Sequence, residues 1–164
     1  MNPGDEIFLD TNVIIEAFRV KVWKPLAQTF RLSTVEECAI EAATGYKRRK
    51  GYVAVDLDAI RATASIHKPE FSSVVSLTRS LPAGLLLDPG ERDLTACAIA
   101  RPHGWLFCSA DAAAVRALHV LGKLGQAVSL EAIVRVAKLN PNVREQFAEK
   151  WLSDRRTRLE LGVL

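Results

Sequence analysis

No stretch of this sequence reaches the roughly 18 consecutive apolar residues that a bilayer-spanning helix needs, although 49% of its 164 residues are apolar. A chain that crosses a bilayer as a helix is excluded, and enough apolar material remains for the core of one domain. An excess of one charge is missing too. The 22 Lys and Arg against 19 Asp and Glu leave a formal net charge of +3, which by itself selects no partner. The three cysteines, Cys38, Cys97 and Cys108, are odd in number, far apart and set among apolar residues, so they predict reduced core thiols rather than a zinc site. The three histidines, His67, His103 and His119, are dispersed, which argues against a shared metal or catalytic role. Trp23, Trp105 and Trp151 read as packing residues. The opening MNPGDEIFLDTN carries acids where a secretory leader would carry basic residues, so a cytoplasmic protein is expected.

Short apolar runs alternate with helical periodicity. Glu6 to Leu9 predicts a strand ending at Asp10, and Val13, Ile14, Ala17 and Phe18 follow at helical spacing. After a Pro-broken stretch from Val22 to Phe30, Ser33 with Glu36 three residues later has capping-box spacing for a helix to about Thr44, with Gly45 as its stop. The segment VAVDLDAIRA suits a strand or a helix equally. Phe71 to Ser80 predicts a helix and Gly84 to Leu87 a short buried strand. Asp88, Pro89 and Glu91 supply N-cap, N1 and N3 signals for a helix through Arg101. Trp105 to Cys108 predicts a buried strand, and Ser109, Ala110 and Asp111 introduce a helix to about Gly122. Gln126 to Val128 suits a last strand, Ser129 caps Leu130 to Lys138, and Asn140 to Asn142 marks a hinge. In the tail, Val143, Phe147 and Trp151 recur every four residues and predict one apolar helical face. Strands alternating with helices imply a parallel sheet covered on both faces, with ligands gathering beyond the carboxyl ends of its strands.

Asp10 and Asp111 both follow predicted strand ends, and each also suits a helix cap. Glu36 and Glu37 point in different directions on a helix; the capping box gives Glu36 a structural task, whereas Glu37 has none. Asp88 and Glu91 are explained as cap residues, which leaves Asp93, before the small apolar run LTACAIA, as dipole compensation or a ligand. Convergence favours function: two strand ends and two helix starts of one parallel sheet can meet in one cleft. Carboxylates gathered without comparable positive charge repel, and a hard cation such as Mg²⁺ or Mn²⁺ removes that conflict.

In this order and spacing the sequence resembles the PIN-domain nucleases, the family that includes the VapC toxins. FLDTNVII resembles the family's first strand and turn, STVEECAIEA the helix bearing its second acid, DLTACAIARPHGWLFCSAD the stretch joining its third and fourth acids, and AVSLEAIVRVA its last strand and helix. The resemblance covers about residues 6 to 137. It implies an α/β, PIN-like three-layer sandwich with a central parallel sheet flanked by helices. A nuclease domain over residues 1–139 would be followed by a helical tail, 140–164, packing on the domain or on a partner. It further implies that Asp10, Glu37, Asp93 and Asp111 hold Mg²⁺ or Mn²⁺, with Asn12 and Ser109 as polar neighbours; a shift of one residue would choose Glu36. The implied reaction is hydrolysis of RNA by in-line attack of water on a phosphodiester, leaving a 5′-phosphate and a 3′-hydroxyl. An antitoxin or a second copy of the chain is the protein partner the resemblance brings with it.

The run YKRRKGY places Lys47, Arg48, Arg49 and Lys50 between two tyrosines, which suits phosphate contact and base stacking on single-stranded RNA, or simply a solvated loop. The alternative to an enzyme is a non-catalytic module that keeps the fold and binds RNA or protein. Phosphoryl-handling relatives with Asp-x-Asp or adjacent acids after the first strand fit less well, because Thr11 and Asn12 follow Asp10.

Overall fold

Ile7, Phe8 and Leu9 in β1 (Glu6–Leu9) are all buried, as in a strand covered on both faces. The structure, a computed structural model, describes residues 1–45 and 52–163. β1 and β2 (Arg31–Val35) are the interior strands of a four-stranded, all-parallel sheet in the order β3-β2-β1-β4, with β3 at Ala64–His67 and β4 at Trp105–Cys108. Among the described residues nine α-helices flank it: α1 (Thr11–Arg19), α2 (Trp23–Thr29), α3 (Glu36–Thr44), α4 (Leu57–Thr63), α5 (Phe71–Ser80), α6 (Pro89–Ile99), α7 (Ala112–Val120), α8 (Leu130–Val136) and α9 (Glu149–Glu160). The chain is an α/β three-layer sandwich with a central parallel sheet.

The strand order positions the site. From β1 the chain steps outward to β2 and β3, then crosses back to β4 on the other side of β1, so the loops leaving β1 and β4 diverge and open a crevice at their carboxyl ends. α6 lies over this region, touching β1, β2 and β4. Its face is made of small residues, and Thr95, Ala96 and Ala98 are wholly buried there.

Several sequence expectations are corrected. Ser33 does not cap a helix. It lies within β2, where its hydroxyl donates to Glu6 at 2.8 Å and stands 3.0 Å from His67 Nε2, and α3 begins only at Glu36. β-branched Thr34 and Val35 continue the strand to the very start of the helix. The stretch from Val22 to Phe30 contains α2, since Pro25 falls in the first turn, where its missing N–H costs nothing. VAVDLDAIRA resolves as α4, capped by Asp56, and runs directly into β3. Gly84 to Leu87 forms no strand: among the described residues no neighbour pairs with it, Leu85 is buried, and Leu86 is 82% exposed. Gln126 to Val128 contributes only a single parallel bridge, Ala127 to Phe107.

The tail also departs from its periodicity. Ala148 is extended, so the turn at Glu145–Phe147 and α9 are separate, and Val143, Phe147 and Trp151 share no helical face. Instead Phe147, Leu152 and Leu159 enter the same hydrophobic core cluster as the sheet. All three cysteines are free and buried, and no described helix is long and apolar enough to cross a membrane.

Candidate active site

β1 and β4 run in register so that Leu9 faces Cys108. One residue further along, the same register sets Asp10 beside Ser109, and Ser109 Oγ donates to Asp10 Oδ2. The other oxygen, Oδ1, accepts the Val13 amide at 2.8 Å and caps α1. Capping and site membership are therefore carried by different oxygens of one carboxyl group. Thr34 on β2 donates to the Leu9 carbonyl at 2.8 Å and braces the strand end from the other side. Asp10 is only 2% exposed. Burial pushes its carboxyl up to about 6, against the Ser109 hydroxyl and the amides of Val13 and Ala110, and the nearby Asp111 charge pushes the same way as burial.

Asp111 is fixed by the same loop. Its amide donates to Ser109 Oγ at 3.0 Å, and its Oδ1 caps α7 by accepting the amides of Ala113 and Ala114 at 2.6 and 3.4 Å. Ser109 thus bonds both acids, through its hydroxyl proton to the side chain of one and through its lone pair to the backbone of the other.

The third acid at this place is Glu91. It is half of a reciprocal capping box: Asp88 Oδ1 accepts the Glu91 amide at 2.8 Å, and Glu91 Oε2 accepts the Asp88 amide at 3.3 Å. Burial raises its carboxyl to about 8, with the charges of Asp111, Asp88 and then Asp10 adding to it against the Asp88 amide. Glu91 is thus near enough to Asp111 and Asp10 for their charges to act on it. Its capping role masked it in the sequence; the signal that could have found it is helix phase, because Glu91 stands one turn before wholly buried Thr95 and so shares its inward face.

Asp93 is not brought to this cluster. Two residues on from Glu91 it is about 200° round the helix, and its Oδ1 accepts Arg92 Nε and Nη2 at 2.9 and 2.8 Å. It faces a separate hollow shared with Lys68, Phe71 and Val74 beside α5.

Glu37 is exposed on α3 and reaches the first turn of α6, where a Cβ on Gly90 would lie 3.8 Å from its Cγ and only 3.1 Å from Cys38 Sγ. Glycine at position 90 is what lets α3 and α6 approach so closely. Glu36 turns the other way and pairs with Arg61 of α4. Glu41 accepts the Thr11 hydroxyl at 2.7 Å. Asn12 is exposed on the first turn of α1. Lys47, Arg48, Arg49 and Lys50 lie outside the described residues.

Asp10 and Asp111 therefore meet at Ser109, with Glu91 within reach of their charges and Asp88 and Glu37 beside Gly90. Among the described residues no three His, Cys, Asp or Glu side chains are gathered tightly enough to form a ready-made metal cage. The donor chemistry nonetheless fits a hard divalent ion: every candidate donor is a carboxylate oxygen, and the acids raise one another's affinity for positive charge. Comparison with protein-family models finds no match, and comparisons with curated proteins and with solved structures likewise find none.

Proposed function

We propose that the chain is a divalent-metal-dependent endoribonuclease, in line with the PIN-type resemblance of its motifs. The observation that carries this reading is the meeting of Asp10 and Asp111 across Ser109 with Glu91 beside them, at the crevice between β1 and β4. Asp10, Asp111 and Glu91 would hold Mg²⁺ or Mn²⁺, with Glu37 as a further donor from α3, beside the first turn of α6. The ion would supply Lewis-acid activation of water and charge stabilisation at the scissile phosphate.

The chain's own residues supply the rest. Ser109 orients both aspartates, and its hydrogen bond to Asp10 favours the ionised carboxylate that a cation needs. The capping bonds to Val13, Ala113 and Ala114 fix the remaining rotations of the two side chains, so the acids are pre-set rather than recruited. The buried strand ends behind them limit water to the open side of the crevice.

The experiment is cleavage of structured and unstructured RNA with Mg²⁺, with Mn²⁺ and with EDTA, alongside calorimetry with Mn²⁺. Cleavage that requires metal and is lost in Asp10→Asn and Asp111→Asn supports the reading. Absence of Mn²⁺ binding by the folded wild type would remove it and leave a non-catalytic binding module.

A further inference from the structure

The acids of the crevice repel the polyanion they are proposed to cleave, so some other surface has to hold it. A groove of about 380 Å³ adjoins them, lined by Leu85, Leu86, Ala112, Ala113, Arg116 and Arg155. Its two walls are the segments that deliver the site acids. One is the first turn of α7, which Asp111 caps through Ala113 and Ala114. The other is the loop at Leu85 and Leu86, which leads within two residues into Asp88 and the first turn of α6 with Glu91. A strand lying in this groove is delivered to the acidic crevice by the chain's own connectivity.

The lining has the chemistry of a nucleic-acid strand. Arg116 is exposed on α7, and Arg155 comes from α9, where its guanidinium lies 5.2 Å from the centroid of the Trp151 ring. Neither arginine has an ion-pair partner among the described residues, and no acid lines the groove. In the same lining, buried Leu85 and the largely exposed Leu86 supply apolar surface against which a base or sugar can lie. Two guanidiniums and an apolar surface in one groove match the phosphates and bases of a strand. An acidic peptide would use the charges and leave the apolar surface idle.

We infer that this groove binds single-stranded RNA beside the scissile position, with Arg116 and Arg155 on backbone phosphates and Leu86 against a base. The inference rests on the nuclease reading for its direction along the crevice. It gives the C-terminal tail a function, since α9 carries Arg155 to the groove.

The test is fluorescence anisotropy of a short labelled oligouridine on the full chain in Ca²⁺ over a salt series. Arg116→Gln combined with Arg155→Gln is expected to weaken binding about ten-fold and to flatten the log–log salt slope by about 1.4, or about 0.7 per lost phosphate contact. Leu86→Ser should weaken binding with the slope unchanged. Arg116→Gln alone, on an exposed helix position, keeps the test valid if Arg155→Gln perturbs α9, and Arg155→Lys should retain most of the affinity. Wild-type slope and affinity in Arg116→Gln and in the double variant overturn the inference. So does a polyglutamate peptide of equal charge that competes as well as oligouridine. Cleavage by the same preparations separates the two readings. Arginine-dependent binding without metal-dependent cleavage keeps the groove and rejects the nuclease, whereas wild-type cleavage and binding by the arginine variants does the reverse.

Discussion

Glu91 and Asp93 stand two residues apart on α6 and face opposite ways: Glu91 lies within reach of the charges of Asp111 and Asp10, while Asp93 is bound by the side chain of Arg92. Glu91→Gln is accordingly expected to abolish metal-dependent cleavage and weaken Mn²⁺ binding at least ten-fold, a loss of about 1.4 kcal/mol or more. Asp93→Asn should leave both nearly unchanged, because Asp93 is taken up by Arg92 and faces a separate hollow. Titration calorimetry on both variants decides it. Loss of Mn²⁺ affinity in Asp93→Asn with retention in Glu91→Gln would return the third acid to its sequence assignment.

On α3 the same logic separates two adjacent glutamates. Glu36 is taken up by Arg61, whereas Glu37 lies against the first turn of α6 at Gly90. Glu37→Gln should lower cleavage markedly while leaving the thermal midpoint nearly unchanged. Glu36→Gln should do the opposite, losing about 1 kcal/mol or less of stability from a half-exposed pair and keeping its activity. Equal activities in the two variants would take Glu37 out of the site.

Which parts of this were legible follows from how local each signal is. β1, β4, α5 and the capping box of α6 are written in short apolar runs and cap residues, and they stand where the sequence placed them. Ser33 misled because a hydroxyl three residues before a glutamate satisfies a local capping rule, while its real partners, Glu6 and His67, are distant in sequence. The segment from Gly84 to Leu87 misled in a similar way. The apolar content of Leu85 and Leu86 suggested a strand, but pairing requires a neighbouring strand, and none lies beside it among the described residues. At the site, Asp10, Ser109 and Asp111 were readable as residues after strands. Glu91 was not, because its cap bonds gave a complete local explanation and its approach to Asp111 depends on tertiary placement.

The raised carboxyls make a prediction about pH and metal together. In the unfolded chain Asp10 would lose its proton near 3.8 and Glu91 near 4.5, whereas in the fold they hold it to about 6 and about 8. Folding therefore favours the protonated forms, so their contribution is greatest below the unfolded values and is lost as pH rises through the folded ones. For Asp10 alone the loss is on the order of 3 kcal/mol. The metal-free protein should melt lower at pH 8 than at pH 5, and Mg²⁺ should restore more of the midpoint at pH 8, where the acids are ionised. Differential scanning fluorimetry with EDTA and with Mg²⁺ measures both. A metal-free midpoint that rises from pH 5 to pH 8 contradicts the electrostatics of the crevice.

Glu16 fastens the tail to the domain from within α1. It is wholly buried, accepts Arg19 Nε at 2.7 Å and the Arg144 amide at 2.8 Å, and has the Arg144 guanidinium 3.6 Å away, while Arg19 also donates to the Asn142 carbonyl at 2.8 Å. Burial alone would raise its carboxyl, but the bonds from Arg19 and the Arg144 amide, with both guanidinium charges, outweigh burial and hold it below 4.5. A lowered carboxyl contributes fully above its unfolded value and loses that contribution as pH falls through the folded one. Glu16→Ala removes the carboxylate that ties the partly exposed Arg19 and Arg144 and the Arg144 amide to α1, so a loss of about 2 kcal/mol is expected in urea unfolding at neutral pH. Glu16→Gln, which keeps the shape but not the charge, should lose less. Release of the tail should expose residues 140–144 to protease in Glu16→Ala before the sheet unfolds, and because α9 carries Arg155, the same variant should lose RNA affinity. Wild-type proteolysis in Glu16→Ala, with unchanged urea stability, would show that Phe147, Leu152 and Leu159 hold the tail without the glutamate.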